Sequence, residues 1–267
     1  MEKRRVFIVT GASRGIGAAV ACWLGKVGAG VTLVSRSGAE LGKVASQVDR
    51  LGGNALVVQG DVTDPSVSDR AVERSLERFQ RIDGIINNAG VVEPLAVVAK
   101  ADPWEWRRCV EVNLLGPFFL SRCAMPELRR NRGRIVNVSS GAATHAIFAA
   151  SAYCSAKAAL NHFTQVMARE EPFVVSVAVR PGVVDTAMQT VLRQKGASAM
   201  PEEHWAYYAD LKKKGQLEPP SVPARSIAWL ALHAPPAWSG AFLSYDDPEI
   251  FAEALRELGE DGSGVFP

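Results

Sequence analysis

A tyrosine and a lysine lie four positions apart in the stretch SAYCSAKAAL, residues 151–160. If this stretch is helical, Tyr153 and Lys157 share one face, with Cβ atoms about 5–6 Å apart. An ammonium group beside a phenol favours the phenolate and lowers the phenol pKa from its usual value of about 10. The phenol could then give a proton to an oxygen on which negative charge develops. An isolated pair with this spacing is more often helix-surface decoration, so the prediction depends on the rest of the chain.

Seven short apolar runs alternate with segments of helical periodicity. Several runs are apolar throughout, as expected for strands that are buried on both faces of a parallel sheet. The predicted strands cover 5–10, 30–36, 54–62, 83–90, 134–140, 174–182 and 240–246, and the predicted helices cover 15–28, 38–51, 65–80, 103–130 and 151–170. This alternation predicts an α/β fold with one doubly wound, mostly parallel, seven-stranded sheet and helices on both faces.

The chain is predicted to form a single domain over residues 1–247, followed by a polar tail over 248–267. The segment at about 186–220 is polar, helical in places and lacks a strand. An insertion near the carboxyl ends of the strands is well placed to cover a ligand. Trp205, Tyr207 and Tyr208 could form an aromatic lid in this insertion, although a partner surface or ordinary core packing accounts for them nearly as well.

The first predicted strand runs into TGASRGIG, residues 10–17, and then into a helix. Gly11, Gly15 and Gly17 follow the pattern G-x-x-x-G-x-G. A pyrophosphate needs backbone that approaches without a Cβ in the way and helix amides that point at the anion. The glycine pattern alone is weak evidence, but its position between a buried strand and a helix predicts a dinucleotide-binding loop.

The end of the second predicted strand indicates which dinucleotide binds. A carboxylate about 20 residues beyond the glycines would bind the ribose 2′-hydroxyl of NAD. This chain has Ser35, Arg36 and Ser37 there, and the next acidic residue is Glu40. Arg36, helped by Arg14, suits a 2′-phosphate because a guanidinium pairs with phosphate in a bidentate way. We therefore expect NADP(H), unless both arginines are ordinary surface residues.

Two further motifs end predicted strands. Asp61 in GDV, residues 60–62, could accept a hydrogen bond from the adenine amino group, and the glycine of NNAG, residues 87–90, would let the chain pass close to the adenosine ribose. Either motif could be simple turn chemistry. Ligands gather at the carboxyl ends of the strands in such sheets, which favours cofactor binding.

Six motifs of this chain stand in the order typical of the short-chain dehydrogenases/reductases. They are TGxxxGxG, NNAG, the asparagine of VNLLG (112–116), the serine that ends IVNVSS, YxxxK, and RPGVVDT (180–186). Ser140 precedes Tyr153 by 13 positions, the spacing usual in that family, so Ser140 rather than Ser139 is the candidate. From about residue 5 to 247 the chain therefore resembles this family, whose fold is of the Rossmann type.

Carbonyl reduction gives each of these residues a role. As hydride reaches the carbonyl carbon, Tyr153 would protonate the oxygen and Ser140 would donate a hydrogen bond to it. Lys157 would also hold the nicotinamide ribose, and the resemblance implies that Asn113 holds a water linked to Lys157. Thr186 could cap a helix or bind the nicotinamide carboxamide, and the second role is preferred. The predicted catalytic residues are Asn113, Ser140, Tyr153 and Lys157, and the predicted cofactor-binding residues are Gly11, Ser13, Arg14, Gly15, Ile16, Gly17, Arg36, Asp61, Val62, Asn88, Ala89, Gly90, Asn113, Tyr153, Lys157, Pro181, Gly182, Val183 and Thr186.

A narrower resemblance, to the branch of sepiapterin reductase and benzil reductase, rests on NVSSGAA, YCSAKAA, REEPFV, PGVVDTAMQ, LKKKGQL and SGAFLSYDD. Pteridine-binding members of that branch carry an aspartate that anchors the pterin at the place where this chain has Ser244. In an extended segment, Asp246 would share the side of Ser244 but lie one pleat pair further on. The resemblance thus implies a neutral diketone more than sepiapterin.

Composition excludes several classes of function. The net charge is +2 and no basic run exceeds KKK at 212–214, so we expect neither nucleic-acid nor membrane partners. Cys22, Cys109, Cys123 and Cys154 are scattered without metal-binding spacing, so we predict reduced thiols and no metal site. No run approaches 18 apolar residues, and the apolar stretch after the basic N-terminus is too short for a signal peptide, which predicts a cytoplasmic protein.

The predicted activity is the NADPH-dependent reduction of a ketone or α-diketone. One alternative is reduction of 3-oxoacyl thioesters on an acyl carrier protein, which predicts a basic surface near the cleft. Another is an NADP(H)-binding sensor without turnover, although all four catalytic residues are present. As in the resembled family, the helices at 103–130 and 151–170 are expected to pair across a twofold axis in a homodimer or homotetramer, with close approach at Ala152, Ser155, Ala156 and Ala159.

Overall fold

Residues 4–261 are described by the computed structural model, and their main elements are seven strands and ten α-helices. The strands are β1 (Val6–Thr10), β2 (Gly30–Ser35), β3 (Asn54–Gln59), β4 (Gly84–Asn87), β5 (Arg134–Val138), β6 (Val175–Arg180) and β7 (Phe242–Ser244). The helices are α1 (Gly15–Lys26), α2 (Gly38–Arg50), α3 (Pro65–Phe79), α4 (Pro103–Val110), α5 (Gly116–Asn131), α6 (Ser151–Glu170), α7 (Ala187–Ala199), α8 (Glu202–Lys213), α9 (Ser221–His233) and α10 (Pro248–Leu258).

The strands form one parallel sheet in the order β3-β2-β1-β4-β5-β6-β7. Strand β1 pairs with β2 on one side and with β4 on the other. The order therefore reverses between β1 and β4, and ligands bind at this switch point of a doubly wound sheet, outside the carboxyl ends of the strands. The predicted fold class is confirmed.

Two hydrophobic layers cover the faces of the sheet. All five positions of β1 are buried. Phe7 and Val9 belong to the layer that includes α1 and α9, whereas Ile8 belongs to the layer that includes α3 and α5. Successive side chains of a strand point to opposite faces. Burial on both faces explains why this strand is apolar at nearly every position.

Two helices lie where the sequence analysis predicts none. Helix α9 packs on α1, and Trp23 Nε1 donates to the carbonyl of Ser221 at 2.9 Å. It is buried on nearly all sides, so it lacks the one-sided periodicity that identifies an amphipathic helix. Helix α10 packs on α9 and buries Ile250, Ala254 and Leu258. The first part of the segment treated as a polar tail is thus a packed helix, and its last part, 262–267, lies outside the described residues.

The predicted helix at 103–130 consists of α4 and α5, joined by a π-helical turn over Glu111–Leu115. Asn113 lies in the middle of this turn, and its Nδ2 donates to the carbonyl of Cys109, four residues earlier, at 2.9 Å. A side chain that bonds this carbonyl competes with the backbone amide for it, which accounts for the wider turn. Such turns occur frequently at functional sites.

The helices and side-chain clusters of the described residues were compared with what a membrane span or a metal site requires. Among residues 4–261, no helix is long and apolar enough to cross a membrane, and no group of His, Cys, Asp or Glu side chains is placed to hold a metal ion.

Ala152 and Ala156 are buried within the chain itself, so the prediction that they meet a twofold partner is wrong. Ser155 is exposed on α6, and Leu115 and Phe118, at the start of α5, expose apolar surface. The homodimer or homotetramer stays a prediction, as does the cytoplasmic location; the mass in solution would test the first.

Candidate active site

The four predicted catalytic residues come from three neighbouring elements. Ser140 follows β5, Tyr153 and Lys157 lie in the first two turns of α6, and Asn113 lies in the π-helical turn that contacts α6. Lys157 Nζ is 5.7 Å from the centre of the Tyr153 ring and donates to the carbonyl of Val138 at 2.8 Å. Tyr153, Lys157 and Asn113 are all buried. The structure therefore brings these side chains together at the carboxyl end of β5.

The two serines after β5 point in different directions. Ser139 donates to Asn161 Oδ1 at 2.6 Å, which ties its side chain to α6. Ser140 accepts from the backbone amide of Ala142 at 3.1 Å and forms a hydrogen bond with the phenol of Tyr153. Only Ser140 is therefore placed to share a substrate oxygen with Tyr153.

Tyr153 is a neutral phenol in this protein. Burial raises the pKa of Tyr153 to about 12, and the hydrogen bond from Ser140 opposes that rise. The predicted lowering of this pKa is not seen in the protein alone, because the loss of hydration around the phenolate is the largest effect. A lowering by Lys157 together with the oxidised nicotinamide stays a prediction. A phenol that keeps its proton at neutral pH is nevertheless suited to the role of a general acid.

Lys157 is a buried cation with few partners. Burial lowers the pKa of Lys157 to about 8, since an ammonium group loses its hydration here. A second polar atom faces the same point: a Cβ at Gly90 would lie 2.9 Å from Asn113 Oδ1 and 3.8 Å from Lys157 Nζ. This Asn113 oxygen is buried and accepts no hydrogen bond from residues 4–261. The residues thus fit a water between Asn113 and Lys157, and that water stays a prediction.

Replacing Lys157 by Met is expected to stabilise the cofactor-free protein at pH 7. Lowering the pKa from 10.5 to about 8 corresponds to a penalty of about 3 kcal/mol for keeping the proton in the folded chain. Losing the hydrogen bond to Val138 offsets about 1 kcal/mol of this gain. Urea unfolding should therefore show a gain of about 2 kcal/mol, together with loss of turnover.

The pH dependence identifies the cause of that gain. Between pH 8 and 10.5 the unfolded wild-type chain binds more protons at Lys157 than the folded chain, so this residue makes the free energy of unfolding rise with pH. The advantage of the Met variant should therefore shrink across this window. Lys43→Met, at an exposed lysine paired with Glu40, is the matched control and should show no such trend. An advantage of equal size at pH 7 and pH 10.5 would argue against a buried charge.

The glycine loop packs tightly against the rest of the protein. Gly11 and Gly15 have positive φ values of 64° and 57°. A Cβ at Gly17 would lie 2.4 Å from Asn88 Nδ2, which itself donates to the carbonyl of Thr10 at 2.9 Å. Gly17 is thus required by the NNAG segment, and not only by a phosphate as the sequence suggests.

Helix α1 offers an anion site at its N-terminus. The residue before it, Arg14, makes no side-chain cap, and the first turn contains no acidic residue. The first amides of a helix lack intrahelical partners and attract anions, aided by the helix dipole. This arrangement fits the pyrophosphate of a dinucleotide.

The end of β2 carries free positive charge. Arg14 and Arg36 are exposed, and neither side chain makes an ion pair or a hydrogen bond within residues 4–261. No acidic residue occupies the end of β2, where Ser35 accepts from the amide of Ser37 at 3.2 Å. Two uncommitted guanidinium groups at this edge fit a 2′-phosphate.

Asp61 has more partners than the sequence suggests. Its Oδ1 accepts from the amide and the hydroxyl of Thr63, both at 3.0 Å, and its Oδ2 accepts from Arg108. Burial pushes the pKa of Asp61 upward, but the hydrogen bonds from Thr63 and Arg108 together hold it below its usual value. The carboxylate is therefore ionised and oriented by the protein, while its role toward adenine stays a prediction.

The segment after β6 also contacts the glycine loop. Thr186 precedes α7 and makes no side-chain cap, and its Cγ2 would lie 3.3 Å from a Cβ at Gly15. The capping role that the sequence left open is therefore not adopted, and the hydroxyl is available to a ligand. Gly182 has φ 74° and packs against the ring of Tyr245. The other predicted cofactor residues follow β1, β3, β4 and β6 at the same edge of the sheet; they are Ser13, Ile16, Val62, Ala89, Pro181 and Val183.

The region around Ser244 differs from the expectation. Residues after β7 form a turn instead of an extended segment, and this turn brings Asp246 back to Ser244, whose hydroxyl donates to its carboxylate. Ser244 Oγ also accepts from Arg180 Nε at 3.0 Å, and its amide donates to Asp247 at 2.8 Å. The prediction that Asp246 lies one pleat pair further on is wrong, because the strand ends at Ser244.

An aromatic cavity lies between the loop after Ser140 and the insertion. Its volume is about 300 Å³, at the lower end of the range of roughly 300–1,000 Å³ for small-molecule sites. Phe148 of the loop stacks on His204 of α8, with ring centres 5.4 Å apart. Lys195 of α7 forms an ion pair with Glu93, which follows β4 in the chain. Sequence reasoning missed Phe148, His204 and this ion pair, since no local motif marks contacts between segments more than 50 residues apart.

Comparisons with known proteins agree with this site. The family model of the short-chain dehydrogenases matches residues 5–197. An uncharacterized oxidoreductase of Schizosaccharomyces pombe is 40% identical over 243 residues, which cover 90% of this chain and 96% of that protein. The benzil reductase ((S)-benzoin forming) of Saccharomyces cerevisiae is 34% identical and covers 92% of this chain and 97% of its own. The crystal structure of a short-chain dehydrogenase/reductase from Saccharomyces cerevisiae has a TM-score of 0.88 at 38% identity, covering 92% of this chain and 98% of its own.

The predicted resemblance, including that to benzil reductases, is confirmed. The family binds a nicotinamide dinucleotide, which agrees with the glycine loop and the uncapped start of α1. The matched segment contains Asn113, Ser140, Tyr153 and Lys157. The chain therefore belongs to the short-chain dehydrogenase family and is an oxidoreductase.

Proposed function

We propose that the protein is an NADPH-dependent carbonyl reductase that acts on ketones or α-diketones. The observation that carries this proposal is the buried, protonated phenol of Tyr153, hydrogen-bonded to Ser140 and adjacent to Lys157. A hydroxyl pair of this kind can bind a carbonyl oxygen and protonate it. The benzil reductases, at 32–34% identity, support a diketone as the substrate class.

The reaction needs a hydride donor and a proton donor. The reduced nicotinamide, when bound, supplies hydride to the carbonyl carbon. Tyr153 breaks its O–H bond and gives the proton to the carbonyl oxygen, while Ser140 donates a hydrogen bond to the same oxygen. The resulting phenolate lies beside the Lys157 ammonium, which stabilises it until a proton returns. The buried oxygen of Asn113 faces Lys157 and fits a route for that proton.

NADP(H) is the proposed cofactor because of the charge at the end of β2. Arg14 and Arg36 have no acidic partner among the described residues, and no carboxylate occupies the position that would bind a ribose 2′-hydroxyl. A 2′-phosphate would accept charge-assisted hydrogen bonds from these guanidinium groups. Gly11, Gly15, Thr186 and the start of α1 would hold the pyrophosphate and the carboxamide.

The two alternatives find less support. A carrier-protein substrate requires a basic surface, but two lysines of the insertion are paired, Lys195 with Glu93 and Lys212 with Asp185. The polar side chains around the aromatic cavity include Glu203 and His204, and no lysine or arginine lines it within the described chain. A sensor without turnover does not need a buried lysine that destabilises the protein beside the phenol.

A substrate panel tests the proposed function. We expect NADPH oxidation with benzil and diacetyl, and slower or no oxidation with sepiapterin, because Ser244 stands where the anchoring aspartate would be and the carboxylate of Asp246 beside it already accepts from the Ser244 hydroxyl. Absorbance of NADPH is the measurement, and acetoacetyl thioester is included as the competing substrate. Consumption of the thioester alone would replace this proposal with the carrier-protein alternative. Absence of turnover with every substrate, at normal NADPH binding, would favour the sensor.

A further inference from the structure

The side chain of Tyr208 lies between the aromatic cavity and the catalytic residue Tyr153. Ile147, Met200 and Tyr208 line the cavity and also pack in the apolar cluster that contains Tyr153. Of these three side chains, only that of Tyr208 ends in a hydrogen-bonding group. A ligand that reaches from Tyr153 into the cavity would therefore meet one polar atom on the way.

The hydroxyl of Tyr208 is free to serve a ligand. It makes no hydrogen bond within residues 4–261, although its ring is held edge-on by Tyr207 with ring centres 5.3 Å apart. Burial raises the pKa of Tyr208, so the hydroxyl keeps its proton and acts as a donor. Tyr208 is only half-buried, so water can pair with its hydroxyl until a ligand that fills the cavity displaces this water and must supply an acceptor in its place.

The other polar groups of the cavity lie nearer to solvent. The side chains of Glu203 and His204 are 82% and 51% exposed, and Tyr207 is 53% exposed. Water satisfies such groups in the free protein, so they add little to the binding of a substrate. Tyr208, which is half-buried against the cluster around Tyr153, differs from all three.

We propose that the Tyr208 hydroxyl donates a hydrogen bond to the second, non-reacting carbonyl oxygen of a vicinal dicarbonyl substrate. This inference rests on the proposed function and names the substrate class that the site selects. The reacting oxygen is held by Ser140 and Tyr153, and the second oxygen of a 1,2-diketone is only two carbon atoms away. A monoketone of the same shape displaces the water from the Tyr208 hydroxyl but offers no oxygen in its place, so the site discriminates against it.

The test compares two substrates that differ only at the second carbonyl. Benzil and deoxybenzoin carry the same two rings, and deoxybenzoin has a methylene group in place of one carbonyl. Tyr208→Phe should lower the ratio of kcat/KM for benzil to that for deoxybenzoin about tenfold, with deoxybenzoin turnover nearly unchanged. Dividing this substrate ratio for the variant by the same ratio for wild type cancels the greater intrinsic reactivity of the diketone.

Tyr207→Phe is the matched control, because it removes a phenolic oxygen from the adjacent position of α8. It should keep the wild-type ratio, and retained deoxybenzoin turnover in Tyr208→Phe shows that the variant is folded. An unchanged ratio in Tyr208→Phe, with both substrates reduced, would overturn the inference and leave the reductase intact. Failure of the wild-type protein to reduce either ketone with NADPH would instead overturn the proposed function, and this inference with it.

Discussion

Replacing Tyr153 by Phe is expected to lower kcat for carbonyl reduction by about 10³-fold, because a positioned general acid contributes roughly 10²–10⁴ to the rate. Phenylalanine keeps the ring in the apolar cluster of the cavity and removes only the hydroxyl. The partner hydroxyl of Ser140 retains its contact with the amide of Ala142, so the site should keep its shape.

Steady-state kinetics measure the loss of proton donation in this variant, and fluorescence titration with NADPH measures cofactor binding separately. The dissociation constant for NADPH should change less than about threefold, since Lys157 keeps its bond to Val138. Tyr207→Phe, which removes a phenol from the half-exposed rim, should retain wild-type kcat. Residual turnover within a factor of ten of wild type in Tyr153→Phe would mean that another group protonates the substrate.

Arg36→Asp is expected to shift the ratio of kcat/KM for NADPH to that for NADH about a thousandfold toward NADH. Losing hydrogen bonds from a guanidinium to a phosphate weakens NADPH binding by roughly 1.5–3 kcal/mol, and the new carboxylate repels the phosphate. The same carboxylate accepts from the free 2′-hydroxyl of NADH, which adds to the shift.

The control for this exchange is Arg169→Asp, which makes the same charge change at an exposed position of α6. It should leave the cofactor ratio within about twofold of wild type, because surface charges beyond a Debye length of about 8 Å are screened. If Arg36→Asp gives the wild-type ratio as well, the 2′-phosphate site does not include this residue, and NAD becomes the cofactor to consider.

The strands and the order of the motifs could be predicted because local sequence encodes them. Runs such as Val6–Thr10 are apolar throughout, and a short run of this kind between turn residues is typical of a strand buried on both faces. Local spacing indicates the glycine loop and the pair of Tyr153 and Lys157, and the resemblance to the family singles out Ser140 by its distance from Tyr153. Helix α9 was not predicted, because it is buried on nearly all sides and shows no amphipathic period.

The remaining differences depend on tertiary contacts. The phenol pKa of Tyr153 rises because the fold buries it, which no spacing in the sequence expresses. The partnership of Asp61 with Arg108 joins residues 47 positions apart. The turn after Ser244 returns Asp246 to the strand end, where an extended continuation was expected. The π-helical turn at Asn113 depends on one side chain competing for a helical carbonyl.

The contact between Gly17 and Asn88 has a consequence for the thermodynamics of cofactor association. Because the side-chain amide of Asn88 occupies the space beside Gly17 and also donates to the carbonyl of Thr10, contacts within the chain itself join the phosphate loop to the end of β4. A loop that is already ordered loses little conformational entropy when the dinucleotide binds, so more of the free energy of its contacts contributes to affinity.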